Sequence, residues 1–121
     1  NASKVVFVEK DPDAILNLKK NIHNINLLKN SKIVSKDVIE FFNKFVLDDY
    51  IKFNVIFFDP PYQDISFINS LKIIKNNHFL CKNHIVIIHR ESKSNDNLQK
   101  HINIIENRTY GRSEIFFGKI F

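Results

Sequence analysis

The sequence of 121 residues has no Met, no Trp, one Cys, three Pro and only two Gly. Average usage near 7% would put about eight glycines in a chain of this length. A glycine-rich loop, the usual cradle for phosphate or a dinucleotide, cannot be built from Gly111 and Gly118. Cys81 stands alone, which excludes an internal disulfide and a cysteine metal cage and makes a cytoplasmic protein the simplest expectation. No apolar run exceeds about five residues, against about 20 for a membrane helix, so no membrane span is expected. No basic segment leads into an apolar core near residue 1, so no signal peptide is expected either. The missing initiator Met predicts a processed product or part of something longer.

What is present points to one folded domain, residues 1–121. At 44% hydrophobic residues the chain is not a disordered polyelectrolyte. Its formal charge is +5, from 18 Lys+Arg against 13 Asp+Glu, with most of the excess after residue 60. Asn, Ile, Lys and Phe make up about half the chain, and Lys outnumbers Arg fifteen to three. An AT-rich coding sequence writes this composition, so the lysine excess alone does not indicate a partner.

Apolar runs and helical spacing alternate along the chain. Lys4-Val5-Val6-Phe7-Val8 reads as a buried strand ending at Glu9. Asp11-Pro12 reads as a helix cap with Pro at the first helical position. Ile15, Leu18, Ile22, Ile25 and Leu28 then predict one amphipathic helix over 12–29. Residues 32–35 predict a second strand. Asp37 with Glu40 has the form of a capping box, and Val38, Phe41, Phe42, Phe45 and Val46 predict a helix over 38–48. Residues 53–58 predict a third strand, 65–76 a helix with Phe67, Ile68, Leu71 and Ile74 inward, and 84–89 a fourth strand. Residues 92–101 read as a loop or short helix. Residues 102–108 and 114–120 read as strands joined at Tyr110-Gly111-Arg112. Alternating strands and helices give an α/β class with a mostly parallel sheet, closed by an antiparallel hairpin.

In open α/β sheets ligands bind beyond the carboxyl ends of the strands. Glu9, Asp37 and Asp59-Pro60-Pro61-Tyr62 follow the first three predicted strands. Each Pro fixes its own φ and pushes the preceding residue into extended geometry, so the pair predicts a stiff segment with outward carbonyls and no N–H. With the Asp59 carboxylate this is a site lined by acceptors. It suits a substrate presenting N–H donors, such as the exocyclic amine of a base, with Tyr62 as a stacking surface. The plainer reading is a strand terminator. The apolar strand before it and the aromatic after it favour function.

These residues carry a resemblance. Asp59-Pro60-Pro61-Tyr62 after Val55-Ile56-Phe57-Phe58 resembles the catalytic motif of S-adenosylmethionine-dependent amino-methyltransferases. More narrowly, the chain resembles the RsmD-like methyltransferases, which modify the N2 amino group of a guanine in small-subunit ribosomal RNA. The likeness extends to Lys4–Asp11, to Ser35-Lys36-Asp37-Val38, and to Arg108-Thr109-Tyr110-Gly111 followed by Ser113–Phe117. It implies a Rossmann-like methyltransferase domain in which Glu9 accepts from the cofactor's ribose hydroxyls. Asp37, with the Val38 backbone beside it, accepts from the adenine amine. Asp59, Pro60, Pro61 and Tyr62 hold the target amine, and ribosomal RNA or the small subunit is the partner. For Glu9 the plainer reading is a solvated acid, and for Asp37 a helix cap.

The family's Gly-rich cofactor loop and its RNA-contacting arm would precede Asn1, so the resemblance implies a domain truncated at its N-terminus. Either residues 4–8 and 53–58 then pair directly, or another chain fills a central gap. Two further functions stay open: an adenine-N6 methyltransferase of DNA or RNA, which shares the motif, and a non-catalytic fragment. Five His (His23, His78, His84, His89, His101) show no metal-ligand spacing, and no metal is expected. His89 reads mainly as a strand-end residue, with substrate contact as the alternative. Lys93, Lys100, Arg108 and Arg112 are candidates for RNA phosphates or for a solvated surface. Cys81 is expected to follow a helix as a small packing residue. Oligomeric state is not legible.

Overall fold

The computed structural model describes residues 2–45 and 52–121. The chain divides into two compact units, residues 1–47 and 48–121.

In the first unit the β-branched run forms β1 (Val5–Glu9), which pairs in parallel with β2 (Ser31–Ser35), register Val5 with Ser31 through Glu9 with Ser35. Between them lies α1 (Pro12–Asn24), capped as expected: Asp11 Oδ1 accepts the Ala14 N–H at 2.7 Å, and Pro12 starts the helix. Ile15 and Ile22 are buried. The helix does not reach residue 29. It closes in a Schellman motif, with Leu27 N–H on the Ile22 carbonyl (3.1 Å), Asn26 N–H on the His23 carbonyl (3.1 Å), and Asn26 left-handed at φ 57°. Ile25 and Leu28 therefore turn outward, 61% and 58% exposed, instead of continuing the inward stripe. A short 3₁₀ turn (Leu28–Asn30) leads into β2. The last helix of the unit, α2 (Val38–Phe45), buries Phe41 and Phe42 edge to face, ring centres 5.2 Å apart. The Phe45 side chain and residues 46–48 of the predicted helix lie outside the described residues.

The second unit holds β3 (Phe53–Phe58), α3 (Phe67–Asn76), β4 (Leu80–Glu91), a 3₁₀ turn (Leu98–Lys100), β5 (Ile102–Tyr110) and β6 (Ser113–Ile120). Its sheet has the order β3-β4-β6-β5. β3 and β4 are parallel, and β6 is antiparallel to both of its neighbours. Phe67, Leu71 and Ile74 from α3 are buried, as are Val86 and Ile88 of β4 and Ile102 of β5. Burying apolar surface of this kind is the main driving force of such a unit. β4 begins four residues earlier than expected, so Cys81 lies inside it and does not precede it. Residues 92–101 are a loop ending in the 3₁₀ turn.

The closing hairpin forms as expected. Tyr110 pairs with Ser113 across a two-residue turn, and Gly111 at φ 60° occupies the first central position, as in a type II′ turn. Gly118 serves close approach instead: a Cβ there would lie 2.8 Å from the Asn103 carbonyl oxygen. The class is α/β, but the single mostly parallel sheet expected is two sheets, one parallel and one mixed. Two arrangements were open, direct pairing of 4–8 with 53–58 or a gap filled by another chain; among the described residues the ladders run within each unit, and the direct pairing is not one of them. Among the described residues no helix is long and apolar enough to cross a membrane.

Candidate active site

β3 ends at Phe58, whose side chain is buried, and the chain emerges as Asp59-Pro60-Pro61-Tyr62. Asp59 is exposed but not loose. Its Oδ1 lies 2.8 Å from Nδ1 of His89, near the end of the adjacent strand β4. A carboxylate oxygen only accepts, so Nδ1–H of His89 donates. Tyr62 is 54% exposed, and its ring meets the His89 ring edge-on at 6.4 Å. His89 is thus more than a strand-end residue: it meets two side chains of the motif, those of Asp59 and Tyr62.

The carbonyls of the motif divide in a way the sequence does not reveal. Pro61 O accepts Asp64 N–H at 2.9 Å and Arg90 Nη1–H at 3.1 Å. Tyr62 O accepts Arg90 Nη2–H at 2.9 Å. The Pro61 carbonyl thus does not face outward as expected; with that of Tyr62 it faces a buried guanidinium. Among the described residues, neither the Pro60 carbonyl nor Asp59 Oδ2 has a hydrogen-bond partner. Arg90 is fully buried and is held by Asp96 through Nε–H to Oδ2 (2.6 Å) and Nη2–H to Oδ1 (3.2 Å), and it lies over the Phe67 ring at 4.9 Å. Neither Arg90 nor Asp96 stands out by motif. The available signal was an arginine close behind the apolar run Ile85–Ile88 in a chain where lysine outnumbers arginine fifteen to three.

The first unit brings Glu9 and Asp37 to the same ends of two adjacent parallel strands. Glu9 Oε1 accepts the backbone N–H groups of Lys10 (2.8 Å) and Asp11 (2.9 Å), which fixes its carboxylate. Asp37 caps α2: its carbonyl accepts Phe41 N–H at 2.9 Å and its Oδ1 accepts Ile39 N–H at 2.9 Å. The reciprocal half of the expected capping box is not made, because Glu40 pairs with Lys36 at 2.9 Å. The Ile39 N–H, with the Lys10 ammonium 3.3 Å from Oδ2, holds the Asp37 carboxyl below its ordinary range against the opposing effect of partial burial. Val38, half-buried, is the first residue of α2.

Of the expected phosphate contacts, Arg108 is paired with Glu106 (2.6 Å) and Arg112 with Glu91. Each carboxylate raises the pKa of its guanidinium. Lys93 and Lys100 have no ion pair among the described residues. No group of three or more His, Cys, Asp or Glu able to hold a metal occurs among the described residues.

A family model described as "Conserved hypothetical protein 95" matches residues 1–119. The chain belongs to this family. It is the RsmD family, to which the motif and the closing hairpin pointed. No curated protein matches the sequence. Solved structures share its fold. A Haemophilus influenzae protein described as a "putative methylase" is 18% identical with a TM-score of 0.74, over 98% of this chain and 74% of that one. A Streptococcus pyogenes conserved hypothetical protein is also 18% identical, with a TM-score of 0.79 over 97% and 72%. The SAH-bound Podospora anserina methyltransferase is 12% identical with a TM-score of 0.66, over 98% and 61%. The fold is thus the Rossmann-like one of methyltransferases, and RsmD-family membership rests on the sequence match.

Proposed function

We propose that this RsmD-family chain carries the substrate-amine site and part of the cofactor site of an S-adenosylmethionine-dependent methyltransferase. Its target is the N2 amine of a guanine in small-subunit ribosomal RNA. The observation that carries the reading is the Asp59–His89 contact. It fixes one carboxylate oxygen, leaves the other without a partner, and sits beside an exposed Tyr62 ring. SAH, the demethylated product of such a cofactor, is bound by one methyltransferase of the same fold.

The residues present fit the adenosine part of the cofactor. Glu9 keeps Oε2 for a pair of ribose hydroxyls while backbone N–H groups fix Oε1. The opposing Lys10 ammonium on Asp37 is on an exposed side chain, so an adenine amine can replace it without breaking a buried pair. S-adenosylmethionine, when bound, supplies a methyl group already activated on a sulfonium. The remaining barrier lies in the nucleophile, an aromatic amine whose lone pair is delocalised into its ring. Asp59 Oδ2 and the Pro60 carbonyl accept its two N–H groups. That biases the nitrogen toward a pyramidal shape and stabilises the positive charge that develops on it. Asp59 is also placed to accept the proton the methylated amine must lose. Tyr62 stacks on a base splayed out of structured RNA.

The test uses the full-length protein that contains these residues, tritiated S-adenosylmethionine, and either small-subunit ribosomal RNA or duplex DNA. Asp59→Ala is expected to lower turnover on the RNA by about 10²–10³-fold while cofactor binding by calorimetry is unchanged. Turnover that survives the substitution sinks the mechanism. Transfer to DNA in preference to RNA replaces the substrate with an adenine amine.

A further inference from the structure

The two prolines give the motif a structural difficulty. Neither Pro60 nor Pro61 has an N–H, so at these two positions the backbone can be tied down only through hydrogen bonds to its carbonyls. The turn makes one of its own, from Asp64 N–H to Pro61 O. The others come from Arg90. One edge of its guanidinium grips the Asp96 carboxylate and the other donates to two successive carbonyls, Pro61 and Tyr62. Arg90 is fully buried and the Asp96 side chain is 4% exposed. A buried ion pair of this kind is weak as a source of stability, since well-packed apolar residues often do as well. All side-chain hydrogen bonds of Arg90 other than those to Asp96 go to the motif.

We propose that Arg90, held by Asp96, is a positioning residue for methyl transfer. It withdraws the carbonyls of Pro61 and Tyr62 from use, so that the Pro60 carbonyl and Asp59 Oδ2 are the acceptors left for the amine. His89 and Arg90 are consecutive on β4 and divide the work: His89 holds the Asp59 side chain, and Arg90 holds the backbone that follows it. A lysine cannot replace it, because an ammonium presents a point donor where a planar fork is needed. The assignment of Arg90 to catalysis rests on the amine site proposed above; its hold on the turn does not.

The experiment compares the full-length protein with Arg90→Lys, Asp59→Ala, and the double substitution Arg90→Met with Asp96→Leu, which removes both buried charges and leaves none unpaired. Each variant is checked by thermal melting. Each is assayed with tritiated S-adenosylmethionine on small-subunit ribosomal RNA, and amide exchange is followed at Asp64. The double variant is expected to melt cooperatively and bind cofactor as the parent does. Its kcat is expected to fall by about a hundredfold with little change in KM, and Asp64 exchange is expected to rise while β3 and β4 stay protected. Arg90→Lys is expected to melt cooperatively and to fail to restore kcat. A folded double variant with parental kcat, or with unchanged Asp64 exchange, overturns the proposal. Turnover surviving Asp59→Ala overturns the amine site, and with it the catalytic assignment of Arg90. Asp64 exchange then decides separately whether Arg90 holds the turn.

Discussion

Arginine and glycine are both scarce in this chain, and where each is used or replaced is informative. All three arginines meet a carboxylate: Arg90 with Asp96, Arg108 with Glu106, Arg112 with Glu91. Against fifteen lysines, these are the places where a planar fork of donors has a partner to grip. Glycine shows the reverse pattern. Asn26, His78 and Asn97 stand in left-handed conformations, at φ 57°, 55° and 48°, where glycine is the usual occupant. His78 follows the C-cap of α3, and its exposed side chain makes no hydrogen bond or ion pair among the described residues that a replacement would lose. His78→Gly is therefore expected to stabilise the protein by about 1 kcal/mol, the cost of holding a Cβ in that region. Thermal melting of the two proteins measures it, and a lower melting temperature for the glycine variant contradicts the strain.

At the scale of elements, the cap of α2 carries a pH dependence. The folded-state pKa of Asp37 is depressed, first by the Ile39 N–H and then by Lys10. A depressed carboxylate contributes stability above its unfolded pKa, about 3.9, and that contribution is lost as pH falls through the lower folded value. Asp37→Asn keeps an acceptor for the Ile39 N–H but removes the charge. With the side chain 47% exposed, solvent screening keeps the difference small, about 0.5 kcal/mol near neutral pH. Urea denaturation should show that gap closing below about pH 3.9, and a gap that persists unchanged there would refute the assignment.

The elements that could be read from the sequence were those whose signal is local. The apolar runs ending at Glu9 and Asp59 form β1 and β3, and Asp11-Pro12 starts α1. The end of α1 was not legible, because the left-handed residue that stops it is Asn26 and the apolar spacing continues past it. The capping box failed because Glu40 has Lys36 four residues before it as a competitor. In the site, the acids and the Asp-Pro-Pro-Tyr segment were visible as strand endings. His89 reads as a strand end with substrate contact as the alternative, but its contact with Asp59 and the role of Arg90 were not legible, because these contacts span 28 to 30 residues and exist only once β3 and β4 are neighbours.

For the molecule as a whole, the net charge of +5 says less than which cations are free to use it. Arg108 and Arg112 already face carboxylates, so their charge is largely neutralised locally. Lys93 and Lys100 have no such partner among the described residues and lie on the loop between β4 and β5. If the RNA reading holds, the two lysines contact phosphates and the paired arginines do not. Each phosphate neutralised on a single strand adds about 0.7 to the steepness with which binding weakens as salt rises. Lys93→Ala with Lys100→Ala in the full-length protein should therefore flatten the log–log salt slope by about 1.4, while Arg112→Ala should leave it nearly unchanged. Fluorescence titration of a labelled single-stranded ribosomal RNA fragment at several salt concentrations gives the slopes. Equal slopes for the lysine variant and the parent would assign these lysines to the solvated surface. A change with Arg112→Ala would mean that RNA displaces Glu91 from that guanidinium.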